Sequence, residues 1–294
     1  MSLDTTMKTK LLIPALFSII VSSCLPENGL EVTVSSDQTP AVSPDGESIA
    51  YYHLNLMSPE QKDYPTGLYV MDKYGNNRRL LLEGHHFQPD WSPDGKWLVF
   101  SSSGILQIIS FEGDSIRTFE GINELPLFSP DWSHNREYII FSSPYIDGGG
   151  GFICKQDFSN LKQIYDHYEL NAYPAKWYEN SQIVCCLYSS SWKSEEIFIV
   201  DTLLVNQTRL TFNSKSDRDP TFSPTSNLLA WSSDAEIYIM DTDGSNQKRL
   251  DFGQYPAWTP DGKFVIYSNT NEDVSKEVLW KIDINGKNKT QLTF

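Results

Sequence analysis

Six times along its 294 residues the chain returns to one pattern: a proline, a variable residue, usually an aromatic one, then a turn and a short apolar run. The clearest copy is Pro89-Asp-Trp-Ser-Pro-Asp-Gly-Lys-Trp-Leu-Val-Phe100, and the segments Pro256 to Tyr267 and Pro40 to Tyr51 match it in register. Pro220 to Trp231 keeps the outline without Asp-Gly. Pro130 to Phe141 loses the second proline, and Pro174 to Cys185 is the most degraded and carries one extra residue. Each part of the pattern has a conformational cause. Ser-Pro-Asp-Gly is a β-turn signal, because proline presets φ, aspartate bonds its own backbone and glycine accepts positive φ. The run after it, as in Trp97-Leu-Val-Phe100, is apolar at every position, which belongs to a strand buried on both faces. A third strand follows, as at Leu68–Met71, Ile197–Val200, Ile237–Met240 and Val278–Ile282, and ends in Asp72, Asp201, Asp241 or Asp283. Segments such as Asp241-Thr-Asp-Gly244 then signal a hairpin into a fourth strand, seen at Arg209-Leu-Thr211, Arg249-Leu250 and Gln291-Leu-Thr293. Asp-x-Asp-Gly also opens calcium loops, but the third oxygen ligand and the later Glu are missing, which leaves the hairpin turn.

Four short strands per repeat, arrayed radially, predict an all-β fold: a six-bladed β-propeller with four-stranded antiparallel blades. The propeller spans 38–294, with blades near 40–88, 89–129, 130–173, 174–219, 220–255 and 256–294. Two closures are open. The last blade takes all four strands from the C-terminal repeat, or Glu31-Val-Thr-Val34 adds one to it. These repeats, with their Pro-x-aromatic-Ser-Pro-Asp-Gly cores and Asp-x-Asp-Gly outer hairpins, resemble the TolB-type propeller and its PD40 (WD40-like) repeats over about residues 40–294. The resemblance implies a TolB-like fold. It implies no single activity, since propellers host many.

The first residues read differently. Lys8 and Lys10 precede an apolar run from Leu11 to Val21, too short to span a bilayer comfortably, and Val-Ser-Ser-Cys24 follows. That ending resembles the lipobox of bacterial lipoproteins. It implies a signal peptide over 1–23, lipidation of Cys24 and a tether over 24–37. The expected location is outside the cytoplasm, lipid-anchored in the cell envelope, facing the periplasm or the cell surface. Three other cysteines, Cys154, Cys185 and Cys186, sit in apolar runs. They are read as buried thiols, with one bridge from Cys154 to Cys185 or Cys186 as the alternative.

Charge narrows the partners. With 38 acidic against 23 basic residues the net charge is −15, which excludes a phosphate-binding surface and so nucleic acid. It also leaves the lipid anchor as the membrane contact. The loops leading into the innermost strands gather at one mouth of a propeller channel, where functional residues collect. The positions before the anchor prolines nominate His86, Gln88, Tyr173, Asp217, Asp219 and Tyr255. The loops between second and third strands add the aromatic platforms Tyr64, Tyr145 and Trp192.

No nucleophile elbow, phosphate loop or His-x-x-x-His ligand spacing occurs in the sequence, so no catalytic residue, metal or cofactor is assigned. The expected function is non-catalytic binding of an envelope protein or glycan at the mouth. Two alternatives stand beside it. One is a metal-dependent lyase of the oligogalacturonate type, with His86 and Asp217 or Asp219 as the ligands to test. The other is a scaffold propeller without a dedicated ligand.

Overall fold

The computed structural model describes residues 35–294 except 56–63, 120, 122–124, 144–149, 167–171, 180, 190–193, 203–205 and 271–275, and no side chain at 166, 172–175, 179 or 189. The signal segment, Cys24, Glu31–Val34, Tyr145 and Trp192 lie outside the described residues.

The described chain is strand and turn. The strands run in consecutive sets of four: β1 Ser35–Val42, β2 Ser48–Asn55, β3 Gly67–Asp72 and β4 Arg79–Glu83; then β5 His86–Trp91, β6 Trp97–Ser102, β7 Ile105–Ser110 and β8 Ile116–Phe119. The third set is β9 Phe128–Trp132, β10 Tyr138–Ser143, β11 Gly150–Lys155 and β12 Lys162–Asp166; the fourth is β13 Ala172–Glu179, β14 Gln182–Ser189, β15 Ser194–Asp201 and β16 Gln207–Arg209. The fifth is β17 Asp217–Phe222, β18 Leu228–Ser233, β19 Glu236–Asp241 and β20 Lys248–Phe252; the last is β21 Gln254–Trp258, β22 Phe264–Thr270, β23 Glu277–Asp283 and β24 Thr290–Gln291. Within every set the pairing is antiparallel between sequence neighbours. The four middle sets are separate four-stranded sheets. The first and last sets share one eight-stranded sheet, ordered β21-β22-β23-β1-β2-β3-β4, with β24 on β23. They are joined by a single parallel step, Ser36 opposite Glu277. The Glu277 carboxylate reinforces that step, accepting from Ser36 Oγ at 2.5 Å and Gln38 Nε2 at 2.6 Å.

The core lies between sets rather than within them. Each of six apolar clusters draws on two consecutive sets. Val99, Leu106 and Ile108 of the second meet Trp132, Ile139 and Phe141 of the third. The last set meets the first through Ile266, Leu279 and Leu292 against Ile49, Tyr51 and Met71. This is why the second strands are apolar at consecutive positions: Leu98, Val99 and Phe100 are fully buried because both faces of β6 are covered. Each such side chain contributes about 1.5–3 kcal/mol of burial.

The turn motif also has its cause on view. Ser92 Oγ donates to Asp94 Oδ1 at 2.6 Å while accepting the Trp97 N–H, and Asp94 accepts the Lys96 N–H. The same loop of bonds recurs at Ser43/Asp45, Ser133/Asn135 and Thr259/Asp261. The third-strand aspartates close the outer hairpins in the same way. Asp283, for instance, accepts the N–H groups of Asn285 and Lys287 and the Asn288 side chain. Cys154, Cys185 and Cys186 are buried free thiols, so the alternative bridge is not formed.

Candidate functional site

Every innermost strand carries a β-bulge at its proline. In β17, Arg218 pairs with Ser232 and Thr221 with Ala230, so Asp219 and Pro220 together face Trp231 alone. The same two-against-one count occurs in β1, β5, β9, β13 and β21. In five of the six strands the residue before the proline takes the left-handed conformation: Thr39, Gln88, Ser129, Asp219 and Tyr255 have φ between 49° and 56°. That region is uncommon for residues with a Cβ, and bulges that re-aim side chains concentrate beside binding sites.

The bulges matter because they break the period of two. Without them, residues one and three places before the proline would share a face. With them, the two positions separate. Thr39, Gln88, Ser129, Asp219 and Tyr255 line a cavity of about 460 Å³, bounded by the innermost strands of all six sets. The residues three places before the proline are packed inside the blades instead. Asp217 is fully buried and accepts Trp231 Nε1 at 3.2 Å, Ser233 Oγ at 2.5 Å and Asn213 Nδ2 at 2.8 Å. His86 bonds Glu83 O through Nε2 at 2.9 Å and Ser102 Oγ through Nδ1 at 3.1 Å, with its ring edge-on to Phe100. Asp37, the equivalent in β1, bonds His53 Nδ1 at 2.6 Å and Arg78 at 3.2 Å.

Of the sequence-nominated residues, the cavity therefore brings together Gln88, Asp219 and Tyr255, and leaves His86 and Asp217 in structural networks. Tyr173 pairs with Cys186, one register step before the bulge, where β5 has Phe87 and β17 has Arg218. The extra residue of that repeat puts Pro174 and Ala175 in the bulge. Tyr64 is half-exposed against Arg78, whose guanidinium lies 4.3 Å from its ring, and is not part of the cavity wall.

The cavity holds three charged residues beyond those nominations. The residue just before the motif aromatic also faces inward: Asp90, Asp131 and Lys176 in the second, third and fourth sets, against Ala41, Thr221 and Ala257 in the others. Lys176 Nζ pairs with Asp131 Oδ1 at 2.9 Å. Asp90 Oδ2 accepts the Trp132 N–H at 2.7 Å, and Asp131 Oδ2 accepts the Trp177 N–H at 2.7 Å, so each aspartate also clasps the next set. The signal for them was in the sequence, as a charged residue inside an otherwise apolar Pro-x-aromatic step.

The carboxyls here are hard to ionise. Burial and the neighbouring Asp131 push Asp90 up to about 7, against the pull of Lys176. Burial pushes Asp219 up to about 6, although Ser232 and Arg218 act the other way. Burial alone would lower the Lys176 ammonium; Asp131 and Asp90 outweigh it and hold it above its ordinary range. The motif prolines Pro44, Pro93, Pro224 and Pro260, with His134 in the place of a fifth, continue the cavity wall toward the turns. His134 is exposed, as a turn residue should be, but it borders the cavity too. Among the described residues no group of three His, Cys, Asp or Glu side chains is arranged to hold a metal.

Fold and site together define an all-β propeller of four-stranded antiparallel blades around a central cavity. The chain belongs to the family of the TolB beta propeller domain, whose model matches residues 105–293. Solved structures agree on the fold. TolB from Acinetobacter baumannii is similar with a TM-score of 0.69 and 16% identity, over 84% of this chain and 63% of that one, just under two thirds of its length. A putative TolB from Agrobacterium tumefaciens gives 0.63 and 19%, over 74% and 84%. An oligogalacturonate lyase from Vibrio parahaemolyticus gives 0.59 and 10%, over 90% and 79%. No curated protein matches the sequence.

Proposed function

We propose that this chain is a non-catalytic lipoprotein of the bacterial cell envelope, a six-bladed propeller held by lipid on Cys24 that binds a protein or glycan partner in its axial cavity. One observation carries the binding reading. All six innermost strands contribute to a single cavity of about 460 Å³, and the bulges direct their least regular side chains into it. A purely structural scaffold has no use for left-handed, partly desolvated Asp219 at such a place, since strain and buried charge cost stability. The blade count of six is supported by the six inter-set clusters, with the eight-stranded sheet read as two blades joined at Ser36 and Glu277. The lyase reading drew on His86, and both nitrogens of that ring are already engaged.

Affinity capture from envelope extracts tests the binding site. Gln88→Ala and Tyr255→Ala should lose a partner that Tyr64→Ala retains. The same partners on all three variants would remove the cavity from the account. Mass spectrometry of the mature N-terminal peptide tests the anchor, and an unacylated Cys24 would sink it.

A further inference from the structure

Two large apolar side chains stand in water at one repeated position. Phe212 and Phe252 are 73% and 58% exposed. Each follows by two residues an inward-packed leucine of an outermost strand, as Leu210-Thr211-Phe212 and Leu250-Asp251-Phe252 on adjacent sets. The last set repeats the step as Leu292-Thr293-Phe294. The guanidiniums of Arg209 and Arg249 lie 4.6 and 4.1 Å from the centres of the first two rings. Glu196 and Glu236 hold those guanidiniums in turn, so the phenylalanines are positioned from beneath.

Strand register places them at one end of their blades. In the fifth set Phe252 is opposite Glu236, Glu236 opposite Ser233, and Ser233 opposite Asp217, where β17 begins. In the fourth set the Asn213 N–H, next after Phe212, reaches Glu196 near the start of β15. The matching end of the first set holds Ser35 opposite Asn55, and Gly67 opposite both His53 and Glu83. The turns that follow the innermost strands bring Pro44, Pro93, Pro224 and Pro260 to one cavity, so these strands run the same way around it and their starting ends share a face. Exposed Tyr64 and Tyr188 lie on that face as well: Tyr64 O accepts Asn55 Nδ2, and Tyr188 is opposite Glu195. Exposed Tyr74, Ile116 and Leu161 lie at the other end, by the outer hairpins of the first three sets.

The chain enters the propeller on the phenylalanine face, because β1 begins at Ser35. Ten residues, 25–34, separate Ser35 from Cys24. Their greatest reach from Cys24 to Ser35 is about 40 Å. Turning the opposite end to a bilayer would take about 26 Å along the eight residues of β1 and about 14 Å outward over three strand spacings, which uses up that reach.

We infer that the face bearing Phe212 and Phe252 rests on the lipid bilayer that holds the anchor. This rests on the reading of Cys24 as lipidated and adds an orientation to it. Aromatic side chains are favourable at the headgroup boundary, and a lipid chain joined to the same face holds them there. The net charge of −15 fixes the lipid chemistry: the contact is apolar and made with zwitterionic headgroups, since an anionic leaflet repels the chain. With this face on lipid, Pro44, Pro93, Pro224 and Pro260 are at the aqueous end, and a partner reaches the axial cavity from the turns.

Electron paramagnetic resonance on the acylated protein in phosphatidylcholine–phosphatidylethanolamine vesicles tests this. A nitroxide on Tyr188→Cys should meet dissolved oxygen more often than a water-soluble nickel chelate, and one on Tyr74→Cys the reverse. The native thiols at 154, 185 and 186 are buried and do not compete for the label. Combining Phe212→Ser with Phe252→Ser, shown folded by near-UV circular dichroism, should move the Tyr188→Cys label about 5 Å toward water and leave the Tyr74→Cys label unchanged. A Tyr188→Cys label in water, a Tyr74→Cys label in lipid or no response to the paired serines each overturns the assignment. Shielding of the Tyr188→Cys label from both reagents marks a protein contact instead and overturns it too. Mass spectrometry of Cys24 judges the anchor separately: an unacylated Cys24 removes anchor and face together, whereas an acylated protein with its Tyr188→Cys label in water removes the face alone.

Discussion

Asp217 and Asp219 stand two places apart on one strand, and their removal should move stability in opposite directions. Asp217 is fully buried and accepts from Trp231, Ser233 and Asn213. Asp217→Ala leaves the indole and hydroxyl donors buried without an acceptor, at about 1–3 kcal/mol each, while Asn213 can turn to water. Burial also raises the Asp217 carboxyl, so part of that loss is offset and about 3 kcal/mol of destabilisation is expected. Asp219 is the reverse case. Its carboxyl rises from 3.8 to about 6, chiefly through burial. A carboxyl with a raised folded-state pKa holds its proton more tightly when folded, so stability falls as pH climbs from about 4 through 6 and the penalty is complete above that. The shift corresponds to about 3 kcal/mol at most, and solvent in the cavity reduces it to about 1–2 kcal/mol. Asp219→Asn keeps an oxygen for Ser232 and removes the charge. It should stabilise the protein at pH 7.5, with the gain shrinking to about a third at pH 4.5. Urea unfolding followed by tryptophan fluorescence at both pH values measures it. Destabilisation by Asp219→Asn, or a gain independent of pH, would refute the reasoning that separates the two residues.

Three further outcomes follow from the packing. Gly75→Ala should cost about 3 kcal/mol or more, because its Cβ would lie 2.1 Å from the Leu292 carbonyl oxygen where the last set meets the first; Gly286→Ala, with nothing nearer than 3.7 Å, should cost only about 1 kcal/mol for its positive φ. Thermal unfolding of the two variants compares them. Cys154 and Cys185 have thiols pushed up to about 12 by burial, so Cys154, Cys185 and Cys186 should resist a thiol reagent in the native protein and all three should react after denaturation; labelling of only one of these three would restore the bridge. Lys176→Met leaves Asp131 uncompensated, with an expected loss of about 3 kcal/mol at pH 8 that shrinks at pH 5, where Asp90 is protonated and no longer adds its charge beside Asp131, measured by urea unfolding at the two pH values.

Much of the architecture was legible because its causes are local. Ser92, Pro93, Asp94 and Gly95 specify their turn through bonds spanning a few residues, and the run Leu98 to Phe100 declares a strand covered on both faces. The site was legible only in part. Gln88, Asp219 and Tyr255 were found from their place before a proline, and they do line the cavity. Asp90, Asp131 and Lys176 were passed over because the same residues look like ordinary turn-flanking charges until neighbouring strands close around them.

By itself the sequence determined the strand periodicity, the turn chemistry and the spacing of the repeats, all of which depend on backbone preferences within a dozen residues. Only the tertiary structure decided which of two alternating polar residues is structural and which faces the cavity. His86 and Gln88, or Asp217 and Asp219, share a face by the period of two. The bulge that begins at Gln88 or Asp219 undoes that, and its effect appears only where all six innermost strands border one cavity.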